Sequence, residues 1–214
     1  MLNEIPIFSG LNDVELEKLE KVAVVKTFPK NTILFSEGDQ SDSFYVVLSG
    51  KVNVGINDEE GREVILSILG EGEYFGEMAL LDGEPRSAFV MTKEPTQLLI
   101  ISKKDFESFV ETNPDIIFNV LKGLLKRLRE ANKKIESLAL MNVYGRVARL
   151  LTQLSVTRDD KTMIEDKLTH QEIANMVGAS REMVSRVLKE LSDEGYISIR
   201  KKKITLHGKL PYEW

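Results

Sequence analysis

The stretch DIIFNVLKGLLKRLREANKKIESLAL, Asp115–Leu140, decides how the rest of the chain is laid out. Its apolar residues Ile117, Leu121, Leu124, Leu128, Ala131, Ile135 and Leu138 succeed one another in alternating steps of four and three. That is a heptad seam, the pattern of a helix lying along a partner helix. Lys122, Lys126, Arg127, Arg129, Glu130, Lys133, Lys134 and Glu136 fill the places between. Pro114 stands where the first turn of a helix tolerates proline. A surface helix packed on its own domain usually carries an apolar stripe wider than two positions in seven. The spacing therefore predicts a dimerisation helix that also joins the N-terminal part of the chain to the C-terminal part, with packing on its own core as the alternative.

Outward from that helix the two halves differ in charge. From Met141 to the end there are 13 basic and 10 acidic residues, a net of +3, while the first 140 residues hold 16 and 24, a net of −8. The overall charge of −5 conceals this split, and the second half is the candidate for contact with phosphate. The absence of cysteine excludes disulfides, thiolate zinc sites, cysteine-held iron–sulfur clusters and a cysteine nucleophile. No apolar run approaches the ~20 residues of a membrane span, and the opening MLNEIPIFSG lacks a signal-peptide pattern. The expectation is a cytoplasmic protein with no membrane partner.

Before the long helix, residues 1 to 21 have helical spacing, with a cap offered by Asn12-Asp13. Short β-rich runs then recur at Val22–Phe28, Ile33–Phe35, Phe44–Leu48, Lys51–Ile56, Glu63–Leu69, Ser87–Thr92 and Gln97–Ser102. Glycine-rich turns separate them, as in an all-β sandwich or jelly-roll-like β-roll. Ser49-Gly50-Lys51 reads as a tight hairpin turn. One segment breaks this texture: Gly72-Glu73-Tyr74-Phe75-Gly76-Glu77-Met78-Ala79-Leu80-Leu81-Asp82-Gly83-Glu84-Pro85-Arg86-Ser87-Ala88. Glu77–Leu81 has room for about one helical turn, and a glycine at its start leaves backbone N–H groups free for an anion. Arg86 offers a fork of donors for phosphate, and Glu77 an acceptor for a ribose hydroxyl. On spacing alone, pairing of Glu77 with Arg86 across the turn is an equal alternative.

After the long helix, Asn142 caps a helix from Val143 to about Leu154, which puts a hinge at Ala139–Met141. Thr157–Asp166 reads as a loop with strand character at its edges. Then Thr169 with Glu172 forms a capping box, Gly178 a turn, and Ser180 the cap of a second helix. Ile173, Ala174 and Val177 face Val184, Val187, Leu188 and Leu191. This is helix–turn–helix grammar. Arg181, Glu182, Ser185 and Arg186 lie on the outer half of the second helix. Residues 195–206 read as a β-hairpin wing, with Arg200, Lys201, Lys202 and Lys203 expected at its tip.

The cassette Phe75-Gly76-Glu77, Ala79-Leu80-Leu81, Pro85-Arg86-Ser87-Ala88 resembles that of cyclic-nucleotide-binding domains, and the whole order of elements resembles the catabolite activator protein (CRP/FNR) family. The resemblance implies an α+β architecture: a β-roll over 1–113, a dimerisation helix and hinge over 114–140, and a winged helix–turn–helix over 141–214. It implies that Gly76, Arg86 and Ser87 hold a cyclic phosphate, that Glu77 takes the ribose hydroxyl, and that Leu66 and Leu69 flank sugar and base. Ala131 and Asn132 stand where the activator has two adenine-binding hydroxyl residues. Cyclic AMP is the leading ligand; cyclic GMP, a cyclic dinucleotide and a ligand-independent repressor are alternatives. The resemblance further implies GTGA-like half-sites in double-stranded DNA read by Arg181, Glu182 and Arg186, with Gln171, Ser180 and Lys189 at or near the backbone. The chemistry matches: arginine suits guanine O6/N7 and glutamate suits cytosine N4. The partners expected are DNA, the nucleotide, a second copy of the chain and, as a further candidate, RNA polymerase. No enzyme, cofactor or metal site is expected, since no nucleophile–base constellation, metal cluster or Walker-type loop is present. The rival outside this class is a nucleotide-binding regulatory subunit that binds no DNA.

Overall fold

The computed structural model describes residues 2–40, 42–159, 161–164, 166, 168–200 and 203–211. The chain forms two compact units, residues 1–129 and 130–214.

The first unit opens with two single-turn 3-10 helices, Leu2–Glu4 and Pro6–Phe8, and then α1 (Asp13–Val22). The Asn12 side chain accepts from the Glu15 amide and the Glu15 carboxylate accepts from the Asn12 amide, a complete capping box. Val22 thus belongs to the helix, not to the first strand. Then come β1 (Val24–Phe28), β2 (Ile33–Phe35), β3 (Ser43–Ser49), β4 (Val52–Asn57), β5 (Glu63–Leu69), β6 (Tyr74–Phe75), α2 (Glu77–Leu81), β7 (Phe89–Thr92), β8 (Thr96–Ser102), α3 (Lys103–Thr112) and α4 (Pro114–Leu140).

The strands make two antiparallel sheets, β1-β8-β3-β6 and β2-β7-β4-β5. The hairpin expected at Ser49-Gly50-Lys51 is therefore corrected. β3 and β4 lie in different sheets, and the turn carries the chain from one to the other. Gly50 has φ +85°, and a Cβ there would stand 2.5 Å from the Pro95 carbonyl oxygen, so the crossing needs glycine. Val47, Phe75 and Leu98 of one sheet meet Val52, Leu69 and Val90 of the other in one core cluster. The far face of the first sheet (Phe44, Val46, Tyr74, Leu99, Ile101) packs on Phe8, Leu19, Phe106, Ile116 and Val120. A sheet covered on both faces explains why β3 and β8 read as continuous apolar runs rather than alternating ones.

The second unit has α5 (Val143–Leu154), β9 (Val156–Arg158), β10 (Lys161–Ile164), α6 (His170–Val177), α7 (Arg181–Asp193), β11 (Ile197–Arg200) and β12 (Lys203–Leu206). The loop expected over Thr157–Asp166 is instead largely an antiparallel pair, β9 with β10, which extends the sheet to the order β11-β12-β10-β9. Ile164 is buried and pairs with Ile204, so the short run is fixed by contacts some 40 residues away rather than by its own polar sequence. Arg146 fastens this unit: its guanidinium donates to the carbonyls of Val177, Met141 and Gly178 at 2.9, 2.9 and 3.3 Å. It thereby ties the end of α4 to the turn between α6 and α7.

Candidate nucleotide pocket and nucleic-acid interface

The cassette is built from the left-handed backbone of Gly76, φ +86°, which turns β6 into α2. A Cβ there would lie 2.6 Å from Arg86 Nη1, so the absence of a side chain is what lets the arginine in. Arg86 is held by its backbone, whose amide donates to the Asp39 carbonyl and whose carbonyl accepts from the Gly38 amide. Its Nη1 donates to the Gly76 carbonyl at 2.9 Å and Nη2 to the Ser43 carbonyl at 2.7 Å. The guanidinium lies 4.1 Å from the centroid of the Phe35 ring. Burial pulls this group down from its usual range, while Tyr45, Asp42, Glu77 and Asp39 pull it back up.

Glu77 and Arg86 do not pair with each other. Glu77 Oε1 accepts from Arg127 Nη1 of α4 at 2.8 Å. Arg127 Nη2 also donates to the Tyr74 carbonyl, and the guanidinium stands 4.8 Å from the Tyr74 ring centroid. Tyr74 reaches α4 a second time: its hydroxyl donates to the Val120 carbonyl at 2.9 Å. Burial pushes this phenol up to about 12, with Arg127 opposing. The hydroxyl sits in a notch, because a Cβ on Gly123 would come within 1.9 Å of it. The mid-helix glycine is the cost of that approach. Neither Tyr74 nor Arg127 stands out in the sequence: Arg127 reads as one of eight charged residues flanking a seam.

Glu77 is 2% and Arg86 4% exposed, and among the described residues Glu77 Oε2 and Arg86 Nε meet no hydrogen-bond partner. Buried polar atoms are normally satisfied, so two such atoms in one cassette point to a ligand that completes them. A carboxylate oxygen suits a hydroxyl donor, and guanidinium N–H groups suit an anion. Ser87 is exposed, its hydroxyl 3.9 Å from Met78 Sδ. Leu69 belongs to the core between the sheets, whereas Leu66 is exposed at the register shift where Val54 pairs with Ser67 and Gly55 with Ile65. Ala131 and Asn132 are exposed on α4, within the second unit.

The apolar residues of α4 divide: Ile116 and Val120, which face the core, stand beside the seam, whereas of the seam itself Ile117 and Leu124 are half-buried. Ile116 and Val120 are buried in the first unit and Leu124 packs partly against its core, so packing on the chain's own core holds for this part of the helix. Leu121, Leu128, Ile135 and Leu138 are exposed, at 46–63%.

In the second unit the helix–turn–helix keeps closely to its sequence pattern. Thr169 and Glu172 form the capping box, Gly178 adopts φ +63°, and Ser180 accepts from the Met183 amide. Ile173, Ala174, Val177, Val184, Val187, Leu188 and Leu191 lock the two helices from within. Gln171, Ser180, Arg181, Glu182, Arg186 and Lys189 are exposed or half-exposed, and Ser185 is half-buried. β11 and β12 pair with Arg200 opposite Lys203; Lys201 and Lys202 lie outside the described residues.

Comparison with known proteins bears on both sites. Residues 25–113 match the family model of the cyclic nucleotide-binding domain, and residues 145–208 match that of the Crp-like helix-turn-helix domain. The chain is 37% identical over 188 residues to the cAMP-activated global transcriptional regulator CRP of Salmonella typhimurium, covering 86% of this chain and 90% of that one. The chain belongs to the CRP/FNR family of transcription regulators. Among solved structures, the c-di-GMP responsive global regulator CLP of Xanthomonas campestris superposes with a TM-score of 0.82 at 30% identity, covering 92% of this chain and 100% of that one. A CRP/FNR family regulator from Thermus thermophilus does so at 0.73 and 30%, covering 86% and 94%. This family member is thus a DNA-binding transcription regulator with a cyclic nucleotide-binding domain, and not an enzyme. Among the described residues no helix is long and apolar enough to cross a membrane.

Proposed function

We propose that this regulator is a homodimer whose grip on DNA is gated by cyclic AMP in the β-roll. The observation that carries this reading is the pair of unsatisfied buried atoms, Glu77 Oε2 and Arg86 Nε. Arg86, the Gly76 amide and Ser87 take the cyclic phosphate. Glu77 takes a ribose hydroxyl on the oxygen that Arg127 leaves free. Leu66 and Leu69 flank sugar and base, and the Asn132 amide meets the purine edge, since Ala131 has no hydrogen-bonding group in its side chain. Two copies associate through Ile117, Leu121, Leu124, Leu128, Ala131, Ile135 and Leu138, which brings two copies of α7 to successive major grooves roughly 34 Å apart. Arg181 and Arg186 then read guanine and Glu182 reads cytosine in GTGA-like half-sites. Gln171, Ser180, Ser185 and Lys189 contact the backbone or neighbouring edges, and Lys201 and Lys202 supply phosphate contacts from the wing. The site of action is the cytoplasm, with RNA polymerase as the further partner. Ligand drives the switch by binding the DNA-competent state better than the other.

A cyclic dinucleotide is the second reading, favoured by the likeness to a relative described as c-di-GMP responsive. Isothermal titration of the protein with cyclic AMP, cyclic GMP and cyclic di-GMP separates them. Saturable one-per-subunit heat with cyclic AMP, lost in Arg86→Leu, supports the first. Heat with cyclic di-GMP alone supports the second, and no heat with any leaves only a ligand-independent regulator.

A further inference from the structure

His170, the first residue of α6, places Nδ1 2.7 Å from the hydroxyl of Ser185 on α7. The contact bridges the two helices of the DNA-reading motif. Ser185 lies one turn after Arg181 and one turn before Lys189, so the three share one row of the helix. Arg181 and Lys189 are exposed, whereas Ser185 is half-buried. A serine inside a helix commonly returns its proton to the carbonyl one turn back. Among the described residues this hydroxyl bonds instead to the imidazole alone.

We propose that His170 is a specificity-positioning residue of the DNA interface, acting by fixing the sense in which Ser185 can hydrogen-bond. The inference rests on the reading that α7 enters the major groove. A free serine hydroxyl has one proton and two lone pairs and can serve as donor or acceptor, so by itself it discriminates poorly between bases. A neutral imidazole with its proton on Nε2, the more abundant form of histidine, offers Nδ1 as an acceptor. Ser185 then gives its proton to Nδ1, and only lone pairs remain for the groove. An acceptor of this kind selects a base edge that donates: the exocyclic amine of adenine N6 or cytosine N4. His170 needs no contact with DNA to do this. It turns a degenerate reader into a selective one by occupying the only proton the serine hydroxyl owns. Truncating the imidazole frees that proton, so the hydroxyl can also donate to guanine O6/N7 or thymine O4.

Selection of randomised half-sites by the full-length protein, with saturating cyclic AMP and at one salt concentration, tests this. Wild type should enrich adenine or cytosine at one half-site position by roughly two- to tenfold, the range of one net hydrogen bond. Ser185→Ala should flatten that position alone. His170→Ala should keep a preference pattern there but admit guanine and thymine, with the guanine positions that depend on Arg181 and Arg186 unchanged in both variants. Retention of those guanine positions shows that each variant is folded and docked. If His170→Ala selects the same sites as wild type, the contact is a staple between helices and the inference fails. It fails equally if wild type enriches guanine or thymine at the Ser185 position. If no guanine position is enriched by wild type, the underlying reading of α7 falls, and this inference with it.

Discussion

The cassette and the helix–turn–helix handle polar side chains in opposite ways. In the cassette, Glu77 and Arg86 are almost fully buried and each keeps an atom without a partner among the described residues. In the helix–turn–helix, Arg181, Glu182 and Arg186 sit at the surface of a scaffold whose helix starts are capped and whose inner face is apolar. A pocket for a small ligand has to bury its recognition groups to exclude water, and it stays energetically incomplete until the ligand arrives. A surface for DNA meets a solvated polyanion and needs only to present charge and donors on a rigid frame.

That contrast is sharpest at the arginines. Arg127→Leu leaves the Glu77 carboxylate buried without its ion partner, which costs roughly 3–5 kcal/mol; urea denaturation should show the loss in the first unit. Arg186→Ala should change stability by less than about 0.5 kcal/mol while abolishing preference for a GTGA-type palindrome in gel shifts. Equal stability losses in the two variants would break the comparison.

Gly123→Ala comes next. On propensity alone it should stabilise α4 by about 1 kcal/mol. Because the new Cβ would stand 1.9 Å from the Tyr74 hydroxyl, we expect a net destabilisation of roughly 1–3 kcal/mol, read as a lower midpoint in urea. A rise in midpoint would show that the notch is not tight. In the other unit, Thr169→Ala removes a capping box and should cost about 1 kcal/mol, seen as faster amide exchange in the first turn of α6 with no change in the β-roll.

The smallest effect at neutral pH is a titration. The Tyr74 phenol is pushed up to about 12 in the folded state by burial, above its ordinary value near 10. Its folded pKa is the higher one, so the stability it contributes is fully present below about pH 10 and is lost as pH rises through about 12. Stability of the wild type should therefore fall more steeply between those values than that of Tyr74→Phe. Parallel curves would place the phenol in water.

The same contrast decides what the sequence discloses. Caps, turn glycines and helical spacing are local, so the boundaries at Thr169, Gly178 and Ser180 are legible residue by residue. The cassette is legible as a motif, but its internal wiring is not. Glu77 is paired with Arg127, fifty residues on, and Tyr74 with Val120 and Gly123, and no pattern within either segment announces the other. The same holds for the turn at Gly50, which looks like a hairpin because both flanks are β-rich, yet joins two sheets. Strand pairing is a long-range property, and for that reason the β9–β10 pair reads in sequence as a loop. The seam of α4 reads as one stripe, while Leu124 also packs on the β-roll core. Spacing alone does not tell which residues of such a stripe pack on the chain's own core and which, like Leu121 and Leu128, stay exposed.

Whether a ligand that completes the cassette changes affinity at the DNA surface is tested most directly by fluorescence anisotropy. A labelled GTGA-type palindrome is titrated with the protein at fixed salt, with and without saturating cyclic AMP. Specific binding should tighten with nucleotide by at least about tenfold, roughly 1.4 kcal/mol of differential affinity between the two states, with no such gain in Arg86→Leu. Equal affinity with and without nucleotide, from a protein shown by titration to bind it, would contradict the coupling of cassette to DNA surface.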